Sequence, residues 1–178
     1  RKRMNQKLRS EANQIIAEVL TSVKPDAAVK RAMRNITFSK HIYVVAIGKA
    51  AWQMTDAAVS YLQEQHISYE KGVVVTKYHH VMGSLPRITC VEAGHPVPDE
   101  NSFRGTEEVL SMVRNLTEED MVLFLVSGGG SALFEKPKIS GEELSDITEQ
   151  LLASGADIVE MNTIRKRLSQ VKGGRFAQ

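Results

Sequence analysis

The chain has 178 residues, of which 42% are apolar and 25% are charged, a balance typical of a globular domain and not of a disordered chain. Its formal net charge of +2 is too small to indicate a nucleic-acid-binding protein. No apolar run approaches the roughly 20 residues of a membrane-spanning helix, and the start of the chain has no signal-peptide apolar segment. The single cysteine, Cys90, excludes an internal disulfide, so the sequence predicts a cytoplasmic protein.

The first half of the chain changes from helical to strand-like patterning. Apolar residues at helical spacing predict an amphipathic helix over residues 4–21 and a shorter helix over 27–34. Continuous apolar, β-branched runs at 42–47 and 72–76 are typical of strands that are covered on both faces. Between these two strands, the spacing of apolar residues predicts a helix over 50–62.

The second half continues the alternation of strands and helices. A short apolar run at 88–91 predicts a third strand, and the prolines of residues 94–100 predict a loop. A helix over 101–114 then leads to the apolar run MVLFLV at 121–126, the clearest strand signal in the chain. Capping signatures predict two further helices, over residues 140–152 and 157–172. Alternating strands and helices predict an α/β fold, a three-layer, Rossmann-like sandwich with a mainly parallel sheet.

Three consecutive glycines directly follow the predicted strand at 121–126. They are flanked by two serines, giving the run Ser127, Gly128, Gly129, Gly130 and Ser131. Glycines at the carboxyl end of a strand let bare N–H groups approach a ligand, and successive N–H groups at a helix start form a cradle for an anion. The run therefore predicts a phosphate or carboxylate site, although a tight turn without a ligand is the alternative.

Three common glycine motifs do not match this sequence. A Walker loop around Lys49 would need glycine at Tyr43 and serine or threonine at Ala50. The dinucleotide fingerprint and the hydrolase elbow both require glycine at Leu133. The remaining interpretation is a phosphate cradle of another design.

Basic residues offer further candidates for an anion site. Lys49 follows the strand at 42–47, so it is expected at the same sheet edge as the glycines, where an ammonium group suits a phosphoryl group. An ordinary surface lysine is the alternative. In the helix predicted over 157–172, Asn162 and Arg165 would share a face and Lys172 would extend it, although a solvated face is the usual explanation of such a pattern.

Several motifs together resemble one family. IGKA, VVTKY, GHPVPDE, VSGGGSAL and Asn-x-x-Arg-Lys-x-Leu-Ser-x-x-Lys-Gly-Gly occur in this order and are similar to the glycerate 2-kinase family, whose members carry a C-terminal MOFRL domain and sometimes a hydroxypyruvate reductase label. The resemblance extends from about residue 10 to residue 178. One departure is His79, where the family pattern usually has glycine before a histidine.

The resemblance implies phosphoryl transfer from ATP to glycerate with Mg²⁺, in a cleft between an α/β domain and the MOFRL domain. It implies that Lys49 neutralises the transferring phosphoryl group and that residues 127–131 hold substrate or phosphate through N–H groups. Other residues implied to line the cleft are His95, Asn162, Arg165 and Lys172. No residue of the sequence is assigned as the metal ligand.

The resemblance also implies that residues 1–178 are a truncated N-terminal domain without its MOFRL domain, inactive in isolation. The expected partners are glycerate and ATP, with no nucleic acid or membrane, and an oligomer is compatible with the sequence. One alternative is a non-enzymatic α/β module that binds phosphate or organic acids in the glycine cradle. A reductase that uses NAD(P)H and hydroxypyruvate is disfavoured because the dinucleotide fingerprint is missing.

Overall fold

A computed structural model describes residues 14–21, 25–94, 100–127 and 141–165. Its helices are α1 (Pro25–Met33), α2 (Ala51–Glu64), α3 (Glu100–Val113) and α4 (Gly141–Ser154). Its strands are β1 (Gln14–Thr21), β2 (His41–Ile47), β3 (Lys71–Lys77), β4 (Ile88–Ala93), β5 (Asp120–Ser127) and β6 (Asp157–Arg165). Within these ranges, no helix combines the length and the apolarity that crossing a membrane requires.

The strands form one parallel sheet in the order β1-β6-β5-β2-β3-β4. Its central strands are buried along almost their whole length, as the continuous apolar runs predict, because helices cover both faces of a parallel sheet. Helices α1 and α2 pack on one face, around Val44, Leu123 and Met161. Helices α3 and α4 pack on the other, around Val45 and Phe124. The predicted three-layer α/β sandwich is confirmed.

Strand order reverses between β2 and β5. From β2 the chain continues outward to β3 and β4, and it then returns to β5, on the other side of β2, before continuing to β6. These neighbouring strands leave the sheet at the same level, because Ile47 is paired in register with Val126. The carboxyl edge between β2 and β5 is therefore the topological switch point, where open α/β sheets bind their ligands.

Two helices predicted from the sequence are wrong in the described part of the chain. Residues 14–21 of the helix predicted over 4–21 form the edge strand β1, and residues 157–165 of the helix predicted over 157–172 form β6. β6 lies between β5 and β1, so both sides of its backbone can pair with a neighbouring strand. These pairings join residues that are far apart in the chain, and the local spacing of apolar residues cannot predict such pairings.

Candidate functional site at the switch point

Gly48 brings the loop after β2 against the end of β5. Its φ angle is +121°, a conformation that residues with a side chain rarely adopt. A Cβ atom at this position would lie 2.0 Å from the carbonyl oxygen of Ser127. The N–H of Gly48 donates to the carbonyl of Val75 on β3, with an N–O distance of 3.1 Å. Glycine is therefore required at position 48, and it fixes the loop that carries Lys49 at the switch point.

Ser127 ties the end of β5 to the loop after β2. This last residue of β5 is 3% exposed, and its Oγ accepts a hydrogen bond from the N–H of Ala50 at 2.8 Å. Ala50 precedes α2 and has no capping bond from its own side chain, so a serine 77 residues away supplies an acceptor at the start of this helix. The hydroxyl keeps its own proton, which can be donated to an anion.

Two side chains on and after β3 hold the carbonyl groups of the same loop. The fully buried Oγ1 of Thr76 donates to the carbonyl of Gly48 at 2.8 Å. Nδ1 of His80 lies 3.2 Å from the carbonyl oxygen of Lys49. Sequence reasoning assigned neither residue to the site. Thr76 could have been identified because it is the polar residue that ends the buried run GVVVT. No local pattern indicated His80.

Lys49 lies on this loop, at the sheet edge where the sequence predicts it, and its residue is exposed. Helix α2 begins two residues later and has no acidic side chain in its first turn. The lysine therefore precedes the positive end of the helix dipole, and the first turn of the helix has no carboxylate to offset that positive charge. Such an arrangement favours an anionic ligand.

The other predicted site residues fall into two groups. Gly128, Gly129, Gly130, Ser131, His95 and Lys172 lie outside the described residues. Asn162 and Arg165 belong to β6, where Asn162 is paired with Val126 and Arg165 with Thr21 of β1. The predicted helical face shared by Asn162 and Arg165 is wrong, because a strand lacks the helical period. The register nevertheless places Asn162 one residue before the level at which β5 ends.

A polar cleft of about 410 Å³ opens beside the loop after β3. Its lining residues are Tyr78, Val81, Cys90, Glu92, Asn101 and Arg104. Two hydrogen bonds shape it: Asn101 donates to the Tyr78 hydroxyl at 2.9 Å, and the N–H of Val81 donates to Glu92 at 3.0 Å. Burial and, secondarily, the Glu92 carboxylate raise the pKa of the Cys90 thiol, which favours its neutral form.

No group of three or more His, Cys, Asp or Glu side chains in the described ranges is arranged to hold a metal ion. The described side chains around Gly48 instead supply hydroxyl, imidazole and ammonium groups. This part of the site is suited to holding an anion.

An open parallel sheet, with the loop after β2 bonded to the end of β5 at the switch point, defines an α/β protein of the class that binds ligands at the carboxyl edge. Within that class, the chain belongs to the family described as "Domain of unknown function (DUF4147)", which matches residues 11–178.

Relatives of the chain include named kinases. It is 49% identical to a protein of Thermotoga maritima named D-glycerate 2-kinase, over 96% of this chain and 40% of that protein. It is 42% identical to a glycerate 2-kinase of Pyrococcus horikoshii, over 92% of this chain and 39% of that protein. A crystal structure of a glycerate kinase from Thermotoga maritima matches 85% of this chain and 34% of its own, with 45% identity and a TM-score of 0.55. The chain thus spans less than half the length of these relatives.

Proposed function

We propose that the protein containing this chain is a glycerate kinase that transfers a phosphoryl group from ATP to glycerate and gives phosphoglycerate. In this proposal residues 1–178 are part of an N-terminal α/β domain, and a C-terminal MOFRL domain completes the active site. The relatives named glycerate 2-kinase support the reaction. Their coverage supports the division into domains, because the chain aligns with about two fifths of each.

The observation that carries the proposal is the hydrogen bond between the loop after β2 and the end of β5 at the switch point. The hydrogen bond from Ala50 to Ser127 fixes the loop carrying Lys49 against the end of β5, directly before the glycine run 128–130. Phosphoryl transfer requires positioning and positive charge more than covalent chemistry from the protein. A lysine, the start of a helix and a glycine run at one sheet edge supply both requirements.

In this mechanism Lys49 neutralises charge on the phosphoryl group as it moves to the glycerate hydroxyl. Residues 127–131 hold substrate or phosphate through backbone N–H groups and the two serine hydroxyls. His95, Asn162, Arg165 and Lys172 are proposed to line the rest of the cleft, although their side chains lie outside the described part of the site. Mg²⁺ is proposed to accompany ATP, with its ligands outside the described residues, and the protein is proposed to be cytoplasmic.

The proposal is tested by coupled measurement of ADP release with ATP, Mg²⁺ and glycerate, using the complete reading frame that contains residues 1–178. Lys49→Ala should lower kcat by about 10²–10³-fold, the usual effect of removing one group that stabilises transition-state charge. Lys71→Ala is the matched control, because Lys71 is an exposed lysine at the opposite end of the sheet, where β3 begins. Near-normal turnover of the Lys49 variant would disprove the role of this lysine.

The proposed division into domains has its own test. Residues 1–178 alone should release no ADP, because the second part of the cleft is missing. Calorimetry with 2-phosphoglycerate and ATP then separates this proposal from a non-enzymatic binding module. Saturable binding of 2-phosphoglycerate by residues 1–178, together with no kinase activity of the whole protein, would favour the module.

A further inference from the structure

His80 has a fixed tautomer because of what its ring contacts. Nδ1 lies 3.2 Å from the carbonyl oxygen of Lys49, and a carbonyl oxygen can only accept a hydrogen bond. Nδ1 must therefore carry the hydrogen. In a neutral imidazole this leaves the lone pair on Nε2, the arrangement in which a histidine can take up a proton at its outer nitrogen.

Nε2 of His80 makes no hydrogen bond within the described ranges, and the residue is only half-buried. Described titratable residues on the neighbouring segments are Lys49 on the bonded loop, Lys77, Tyr78 and His79 in the same turn, and Glu92 on β4. Glu92 accepts a hydrogen bond from the N–H of Val81, the next residue after His80. Thus, among the described residues, no carboxylate is bonded to the ring and Nε2 keeps its capacity to accept a proton.

We propose that His80 is the proton acceptor for the glycerate hydroxyl that attacks ATP, an assignment that rests on the proposed function. As the new bond forms between that hydroxyl oxygen and the γ-phosphorus, the proton moves from the oxygen to Nε2. The bond from the γ-phosphorus to the bridging oxygen breaks, and ADP leaves with that electron pair. The imidazolium then returns its proton to solvent.

The location of His80 supports this role. Its ring bonds the backbone of Lys49, the residue proposed to neutralise the same phosphoryl group, so the turn after β3 that carries the acceptor is held against the loop after β2 that carries the cation. A base must lie within hydrogen-bond reach of the hydroxyl that it deprotonates, and the switch point is where the substrate is proposed to bind. The competing explanation is that His80 only braces the loop through Nδ1.

Two substitutions separate a proton acceptor from a brace. His80→Asn keeps an N–H donor close to the position of Nδ1 but has no basic nitrogen, so a brace would be rescued and an acceptor would not. In the complete protein we expect His80→Asn to lower kcat by about 100-fold or more, while KM for ATP and glycerate changes little. His79→Asn is the matched control, because His79 is the exposed neighbouring residue and asparagine tolerates its φ of 69°. The kcat of this variant should stay within about two-fold of the wild-type value.

The outcomes distinguish the two proposals. A wild-type protein that releases no ADP with glycerate would overturn the proposed function and this assignment together. An active wild type with a fully active His80→Asn variant would overturn the assignment alone.

A measurement on the wild-type protein does not depend on how the variants fold. Nitrogen-15 spectra of labelled histidine rings distinguish the two neutral tautomers, and the His79→Asn spectrum removes the neighbouring signal. His80 should show the tautomer with hydrogen on Nδ1. Hydrogen on Nε2 in the neutral ring would contradict the assignment.

Discussion

At the scale of single residues, Gly48 has the strictest steric requirement at the switch point. We expect Gly48→Ala to destabilise the fold by at least about 3 kcal/mol, because it combines an unfavourable φ with a Cβ 2.0 Å from the Ser127 carbonyl oxygen. Turnover should fall as well, since relief of the clash separates the loop that carries Lys49 from the end of β5. Urea unfolding and ADP release measure the two effects.

Gly83→Ala is the matched control for this substitution. The nearest atom that its new Cβ would meet belongs to Trp52, 3.9 Å away, and its φ is not in the left-handed region. We expect a change in unfolding free energy within about 0.5 kcal/mol. Equal losses in the two variants would show that position 48 has no special steric role.

His79 has a backbone conformation that carries a physical cost. The N–H of His80 donates to the carbonyl of Lys77 at 3.1 Å, which closes a turn with His79 at its third position. The φ of His79 is 69°, a value that turns of this kind usually reserve for glycine.

Glycine at position 79 would relieve the left-handed strain of the folded state but would add conformational freedom to the unfolded chain. The first effect should equal or exceed the second, so we expect His79→Gly to be neutral or to stabilise the protein by up to about 1 kcal/mol. Ser68→Gly, at an exposed position in a loop and with an ordinary φ, should instead destabilise by about 0.5–1 kcal/mol. Thermal unfolding of both variants gives the comparison, and destabilisation by both would contradict the strain explanation.

At the scale of elements, Thr76 links β3 to the loop between β2 and α2. Its hydroxyl is fully buried and donates to the carbonyl of Gly48 at 2.8 Å. Thr76→Val keeps the shape but removes this bond and leaves the carbonyl with the N–H of Ala51, at 3.2 Å, as its donor, so we expect a cost of about 0.5–1.5 kcal/mol. Thr76→Ser keeps the hydroxyl and should recover most turnover, whereas valine should not. Identical turnover in both variants would show that the hydroxyl does not position the loop.

The central strands could be predicted from the sequence, but β1 and β6 could not. Runs such as MVLFLV are apolar throughout, so only burial on both faces explains them. Residues 157–165, DIVEMNTIR, mix acidic and apolar residues in a pattern that also fits a capped helix. In the structure these residues form β6, which pairs with β5 on one side and with β1 on the other. The strand conformations of β1 and β6 therefore depend on pairing between distant parts of the chain.

The candidate site divides in the same way. Lys49 and Ser127 could be placed together from the sequence because each directly follows a recognisable buried strand, and parallel strands end at one edge. Thr76 and His80 reach the same loop only through the pairing of β3 with β2, which side-chain patterns along the chain do not encode. Local patterns thus identify the strands that end at a site more readily than the side chains that support it.

At the scale of the whole molecule, the two edges of the sheet should have separable roles. The amino edge carries an ion pair between Lys40, before β2, and Asp157, at the start of β6, with an N–O distance of 2.6 Å. The ammonium of Lys40 also donates to the carbonyl of Glu118, before β5. These contacts join the starts of the central strands, at the opposite edge of the sheet from the loop that Ser127 holds. Such a pair supports stability and has no expected part in turnover.

A matched pair of substitutions in the complete protein tests this separation. Asp157→Asn should cost at most about 1 kcal/mol, because the ion pair is partly exposed and screened by solvent, and its kcat should not change. Ser127→Ala removes the acceptor for the Ala50 N–H, which should cost about 1–3 kcal/mol of unfolding free energy. It should also lower kcat about 100-fold, because the loop that carries Lys49 is no longer held in position. A kinase site at the switch point requires order at the carboxyl edge for catalysis, and the amino edge contributes stability alone. If both variants lost turnover in the same proportion to their loss of stability, this separation of roles would be contradicted.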